Sequence, residues 1–335
     1  MKKLHLLVVI IGLAFAVAAC NQSNETQDVD QEKSPSQNES KNTPHSNGKE
    51  PIESNSFFTS FDGTMEHIHG LGYAGNQNAV FFATHDGLKV FKNGKWYRTK
   101  TENNDYMGFN AVQKGFYSSG HPGKDSALPN PLGIKRSFDN GQSLENLTLE
   151  GETDFHVMGV GFENNVIYAI SPQKNSLMDG NKLYKSDDNT KTWKKVAGKG
   201  LGNEIFSLTV HPTEPNIVAS VGKDGVYLSE DNGENFDLIS NNIQGTAVFL
   251  TNDHLIYGGY KEEAQLIKRS LTKDKEQRIF IPELKEDAIM YLAQNPQSEE
   301  EMVFSTFNGN IYRTVDGTKS WDLLVQEGEL QTKNF

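Results

Sequence analysis

The sequence predicts an all-β fold made of repeated four-stranded units, and three observations carry that expectation. Short runs of β-branched and aromatic residues recur, as at 80–84, 166–170 and 217–221, which is the composition of strands. An octet of turn residues also recurs: Ser137-Phe138-Asp139-Asn140-Gly141-Gln142-Ser143-Leu144, then Ser186 to Trp193, Ser229 to Phe236 and Thr314 to Trp321. Its third-position aspartates, Asp139, Asp188, Asp231 and Asp316, are 49, 43 and 85 residues apart. The last gap is twice about 42, so one unit between them lacks the motif. A repeat of this length holding four strands is one blade of a β-propeller. Six four-stranded blades are expected, seven being the alternative, for which the C-terminal tail is too short.

Lys2 and Lys3 precede an apolar run from Leu4 to Ala19, which ends in Val17-Ala18-Ala19-Cys20. A charged start, an apolar stretch and small residues before a cut site make an export signal, so residues 1–19 are a lipoprotein signal peptide and Cys20 its lipidation site. The run is shorter than the roughly twenty residues of a membrane span. Residues 20–56 are Asn, Gln, Ser, Glu, Asp and Lys with almost nothing apolar, and they read as the lipidated cysteine and a disordered linker. Residues 57–335 are the propeller. Its blades open near His67, Met107, His156, Ile205, Thr246 and Ile289. Blade one carries a shortened turn, Lys92-Asn93-Gly94-Lys95-Trp96, and blade five has lost the octet at Ser270-Leu271-Thr272-Lys273.

Composition narrows the partners. A net charge of −12 and a pI near 5.3 argue against nucleic acid and against an anionic lipid surface, both of which attract basic patches. Membrane attachment therefore rests on the two acyl chains of a diacylglyceryl group on Cys20, at the outer face of the cell membrane. Cys20 is the single cysteine, so the folded part contains no disulfide and depends on its core.

The octet resembles the Asp-box, or BNR repeat, of sialidase-like, sortilin-type and photosystem-assembly propellers. Over its folded region the chain also resembles a family of Gram-positive lipoproteins loosely labelled glycosylhydrolase. The physical reading of the octet agrees: Ser or Thr and Asp side chains bond backbone amides within a turn, Gly or Asn takes positive φ, and the last residue packs beneath. Asp139, Asp188, Asp231 and Asp316 are thus structural, and Trp193 and Trp321 are expected to be buried.

Chemistry is expected at the opposite face, where inner strands begin and second strands end. Aligned openings place His67, Asp105 and His156 in one column and His69, Met107 and Met158 in another. Residues two apart share a strand face. His85 and His121 end the second strands of blades one and two. These positions, His67, His69, His85, Asp105, His121 and His156, form the candidate ligand-binding set. His67, His69, Met107, His156 and Met158 form a candidate metal set, for which imidazole and thioether donors favour copper. Blades four and six offer Ile205, Ser207, Ile289 and Tyr291 instead, so the site is expected against one wall. Loops 122–133 and 171–181 overhang the same face.

A sialidase needs three arginines converging on the axis, and all five here, Arg98, Arg136, Arg269, Arg278 and Arg313, fall on outer strands. A different glycoside hydrolase requires two suitably spaced carboxylates, with Asp86, Asp105, Glu152 and Asp154 as candidates. The leading expectation is a binding or assembly module for a glycan, peptide or protein ligand. Glycoside hydrolysis and metal handling are the alternatives.

Overall fold

A computed structural model describes residues 50–240, 242–273 and 275–331. The signal peptide, Cys20 and most of the expected linker lie outside the described residues. Six antiparallel sheets follow one another along the chain, and in each the first four strands from the axis outward are in sequence order. The inner strands are Ile68–Gly72, Asp105–Val112, Met158–Val160, Ile205–Val210, Gln244–Leu250 and Ile289–Asn295. Each packs against the next and the sixth against the first, which closes a six-bladed β-propeller. The expected openings agree within two residues.

Blades one and six have five strands rather than four. Phe58–Ser60 pairs with Lys95–Thr99 at the outer edge of blade one. Glu329–Leu330 pairs with Asp322–Gln326 at the outer edge of blade six. Among the described residues no strand is exchanged between these two blades, and they meet through packing and hydrogen bonds. Met65, Leu71, Tyr73 and Phe82 of blade one share a core with Val303, Ile311 and Leu324 of blade six. The Met65 amide donates to Gly328 O at 2.7 Å. Beside this core Glu301, itself buried, accepts from Tyr73 Oη at 3.0 Å, Arg313 Nε at 2.7 Å and Asn295 Nδ2 at 2.8 Å.

Packing starts before the expected boundary at 57. Ile52 is buried with Phe57, Phe58 and Phe81, because an apolar side chain beside the outer edge of blade one gains more by burial than the polar composition around it suggests.

The four repeated turns are alike to the atom. In each, the first Ser or Thr hydroxyl donates to the Asp carboxylate: Ser137 to Asp139 at 2.8 Å, Ser186 to Asp188 at 3.0 Å, Ser229 to Asp231 at 2.9 Å and Thr314 to Asp316 at 2.8 Å. The same carboxylate accepts the backbone amide four residues on, from Ser143, Thr192, Asn235 and Ser320. These bonds hold the Asp188 and Asp231 carboxyls below their usual range and Asp316 at about 2, the neighbouring serine or threonine and asparagine donors being the largest cause. Blade one makes its turn with Asn93 and Gly94, both at positive φ. Trp193 and Trp321 are half-buried rather than buried. They lie against the cores between blades as edge packing, since the fourth strand of a blade has solvent on its outer side.

Candidate functional site at one mouth of the channel

A cavity of about 260 Å³ runs along the axis, lined by Leu71, Val160, Leu208 and Leu292 at mid-depth and by His69, His156, Met158 and Phe206 at the mouth where inner strands begin. The repeated turns lie at the far face. Asn232 N, in the blade-four turn, donates to Asn216 O in the hairpin joining the first two strands of that blade.

Two clusters occupy the wall formed by blades one to three, and each joins a second-strand histidine to the carboxylate that opens the next blade. In the first, His85 Nδ1 lies 3.0 Å from Asp105 Oδ2, and His69 Nε2 lies 3.7 Å from Asp105 Oδ1. His69 Nε2 is also 3.3 Å from the ring nitrogens of His85. His67 adds an edge-to-face contact with His85 at 5.3 Å between centroids. In the second, Asp154 Oδ2 is 2.5 Å from His156 Nε2 and 3.4 Å from His121 Nε2. His121 Nδ1 reaches Asn130 Oδ1 at 2.7 Å, which brings loop 122–133 to the site. Burial, then the neighbouring His85, lower the His69 pKa to about 4, so this ring is neutral at pH 7. The hydrogen bond that His156 donates to Asp154 raises the pKa of this histidine.

The five histidines and Asp105 of the expected binding set therefore come together as two linked groups, with Asp154 added. Of the expected metal set, His67, His69 and His156 are on this wall. Met107 and Met158 are buried, Met158 within the core between blades two and three beside Phe155 and Ile167. Hydrophobic burial claims the thioethers. Among the described residues one group of His, Asp or Glu has three donor atoms within 4.8 Å of one another, namely His69, His85 and Asp105.

Two of the four candidate carboxylates are engaged elsewhere. Asp86 accepts from Lys89 Nζ at 2.5 Å, where a lysine only 2% exposed needs a counter-charge. Glu152 accepts from Ser176 N and Oγ, each at 2.9 Å, and fastens loop 171–181. Asp105 and Asp154 remain, each with a buried Oδ1 that has no hydrogen-bond partner. The five arginines sit on third or fourth strands, away from the axis.

The sequence reading missed the other wall. Blades one, four, five and six each carry a bulge in the inner strand, at Ile68/Gly70, Ile205/Ser207, Gly245/Ala247 and Ile289/Tyr291. The extra residue is His69, Phe206, Thr246 or Met290. A bulge re-aims a side chain and breaks the two-residue alternation. The position level with His69 is therefore Phe206 in blade four and Met290 in blade six, instead of Ile205, Ser207, Ile289 or Tyr291. Phe206 is 44% exposed, and Phe307, which follows the second strand of blade six at the same face, is 52% exposed. A hydrophobic residue between two alternating ones was the available signal, and it looks like an ordinary strand.

No family model matches the chain, and no curated protein matches it. Solved structures share the architecture. The chain is similar to an ancestral GH74 enzyme (13% identity, TM-score 0.51) and to the extracellular domain of a putative one-component system from B. thetaiotaomicron (15%, 0.51). It is also similar to oligogalacturonate lyase from Vibrio parahaemolyticus (12%, 0.50). Each likeness covers 82% of this chain. The chain spans 40% and 36% of the length of the first two and 88% of the third. At these identities the likeness establishes the β-propeller fold alone.

Proposed function

We propose that the propeller is a binding module, carried at the outer face of the membrane by lipid on Cys20, whose ligand docks at the histidine-bearing mouth of the channel. The observation that carries this reading is the mouth itself: five histidines and two aspartates on the wall of blades one to three, and exposed Phe206 and Phe307 on the wall of blades four to six. Polar groups that fix orientation beside an apolar platform are the usual make-up of a small-ligand site. Aromatic faces with polar partners suit a glycan or an extended peptide. The Ser/Thr–Asp turns support placing the chain among the Asp-box propellers, and the Val17-Ala18-Ala19-Cys20 sequence supports the anchor.

Glycan and peptide arrays probed with wild type and with the double variant His156→Ala/Phe206→Ala test the docking site. Capture by wild type that is lost in the variant, with melting unchanged, is expected; equal capture by both overturns the assignment. Cleavage of a bound glycan, abolished by Asp154→Asn, would replace the binding module by the glycoside hydrolase reading. For the anchor, Cys20→Ala is expected to end incorporation of a fatty-acid label, and a labelled variant removes the lipoprotein reading.

A further inference from the structure

Of the two clusters at the mouth, the one between blades one and two has features that hydrogen bonding does not explain. A proton on His69 Nε2, shared with His85 Nε2, accounts for the 3.3 Å approach of the two rings. A second satisfies His85 Nδ1 and Asp105 Oδ2 at 3.0 Å. Asp105 Oδ1 is left buried with no donor, although a buried carboxylate oxygen without a partner is costly. His85 Nδ1 lies 3.0 Å from Asp105 Oδ2 and 3.3 Å from His69 Nε2, which is 3.7 Å from the other carboxylate oxygen, Oδ1, and one donor atom from each residue lies within 4.8 Å of the other two. Ligands about 2.0–2.1 Å from one four-coordinate ion stand roughly 3.3 Å apart. The spacing thus matches donors arranged around a common centre.

We propose that His69 Nε2, His85 Nδ1 and the Asp105 carboxylate form a site for a borderline divalent transition-metal ion, zinc(II) or copper(II), with its remaining coordination position open to the channel mouth. The proposal rests on the reading of this mouth as the binding site and gives its ligand a chemistry: an oxygen or nitrogen donor that completes the metal's shell. Two imidazoles with one carboxylate favour these ions over calcium or magnesium, which prefer all-oxygen shells. Three protein ligands and an open position are the arrangement of a site that takes up an exogenous ligand. The scaffold is suited to holding them. His69 is the bulge residue of its strand, His85 follows the last residue of the neighbouring strand, Thr84, and Asp105 opens the next blade. No ligand depends on a long loop. His156 lines the same mouth as His69 and is bonded to Asp154.

The test is calorimetric and thermal titration of the full chain, stripped with chelator, using zinc and copper salts with calcium and magnesium as comparisons. One equivalent of zinc or copper is expected to bind at least about 100-fold more tightly than calcium, a difference of about 2.7 kcal/mol, and to raise the melting temperature by mass action. His85→Gln, at a half-exposed ring whose loss leaves the fold intact, is expected to abolish that equivalent. Asp105→Asn should weaken it strongly, and His254→Gln, at the opposite mouth, should leave it unchanged. Copper(II) bound to wild type should show nitrogen coupling in its electron spin resonance spectrum that is reduced in His85→Gln. Equal titrations for wild type and His85→Gln, or no preference over calcium, overturn the site. Running the glycan and peptide arrays with stripped and with zinc-loaded protein separates the two readings. Capture without metal binding removes the metal and keeps the docking face, whereas metal binding without capture removes the docking reading and keeps the metal.

Discussion

At Thr190 and Thr318 the backbone takes φ of +68° and +70°, where the equivalent turns have Gly141 and Gly233. A β-branched residue is strained in the left-handed region, and Thr190 Oγ1 is also buried without a partner. Thr190→Gly relieves both, against the lost methyl packing and the greater freedom of glycine in the unfolded chain. A net gain of about 1 kcal/mol, roughly 2 °C in melting temperature, is expected by calorimetry; a fall would show that the turn is not strained there. At Asp316 the sign of the pH effect follows from a carboxyl held at about 2 by Ser320, Thr314 and the Lys319 amide. Its folded-state pKa lies below the ordinary value near 3.9. The turn's contribution is therefore fully present above about pH 4 and is lost as the pH falls towards 2. Acid unfolding of Asp316→Asn should be flatter than wild type across that window.

The strand is the scale at which the site is made. The inner-strand bulges turn His69, Phe206 and Met290 onto one level of the channel, and blade two achieves its own irregularity with Gly108 at φ +53°. A Cβ at Gly108 would stand 2.3 Å from Phe155 O of the next blade, a backbone contact that no rotamer relieves. Gly108→Ala is expected to cost more than about 2 kcal/mol, through positive φ and the clash together, and to disturb the Asp105 cluster. Urea unfolding measures the first and histidine chemical shifts the second. Trp193 packs on the fourth-strand side with solvent beyond it. Trp193→Ala should then cost about 2 kcal/mol rather than the 3–5 of a fully enclosed aromatic, and a loss near zero would mean that the turn is not held from beneath.

At the scale of the ring, blades one and six meet through an apolar core and a buried polar group, with no strand exchanged between them among the described residues. Glu301 ties Tyr73 of blade one to Arg313 and Asn295 of blade six. Burial of the ring, then the Glu301 charge, hold the Tyr73 hydroxyl protonated far above the usual range. Glu301→Ala leaves a guanidinium and a phenol with no partner in a mostly buried place, and a loss of about 3 kcal/mol in denaturant titration is expected. A variant as stable as wild type would mean that the apolar core between these blades closes the ring alone.

Repeat length, strand number and turn chemistry were legible in the sequence because they are local. A Ser, an Asp and an amide four residues on satisfy one another wherever the segment lies, and the spacing of four such turns sets the blade count. The histidines were legible as positions, since blade openings and second-strand ends can be read from the repeat. Which groups meet was decided by the assembled ring. A bulge adds one residue without changing composition, so it reverses the face of His69 and exposes Phe206 with no mark in the pattern. Met107 and Met158 were lost to the core because burial of a thioether depends on the neighbouring blade. Asp154 gained its role because blade three sets it beside a histidine of blade two. Local hydrogen bonds are written in adjacent residues, whereas the partners of a side chain at a blade boundary are fixed only when the ring closes.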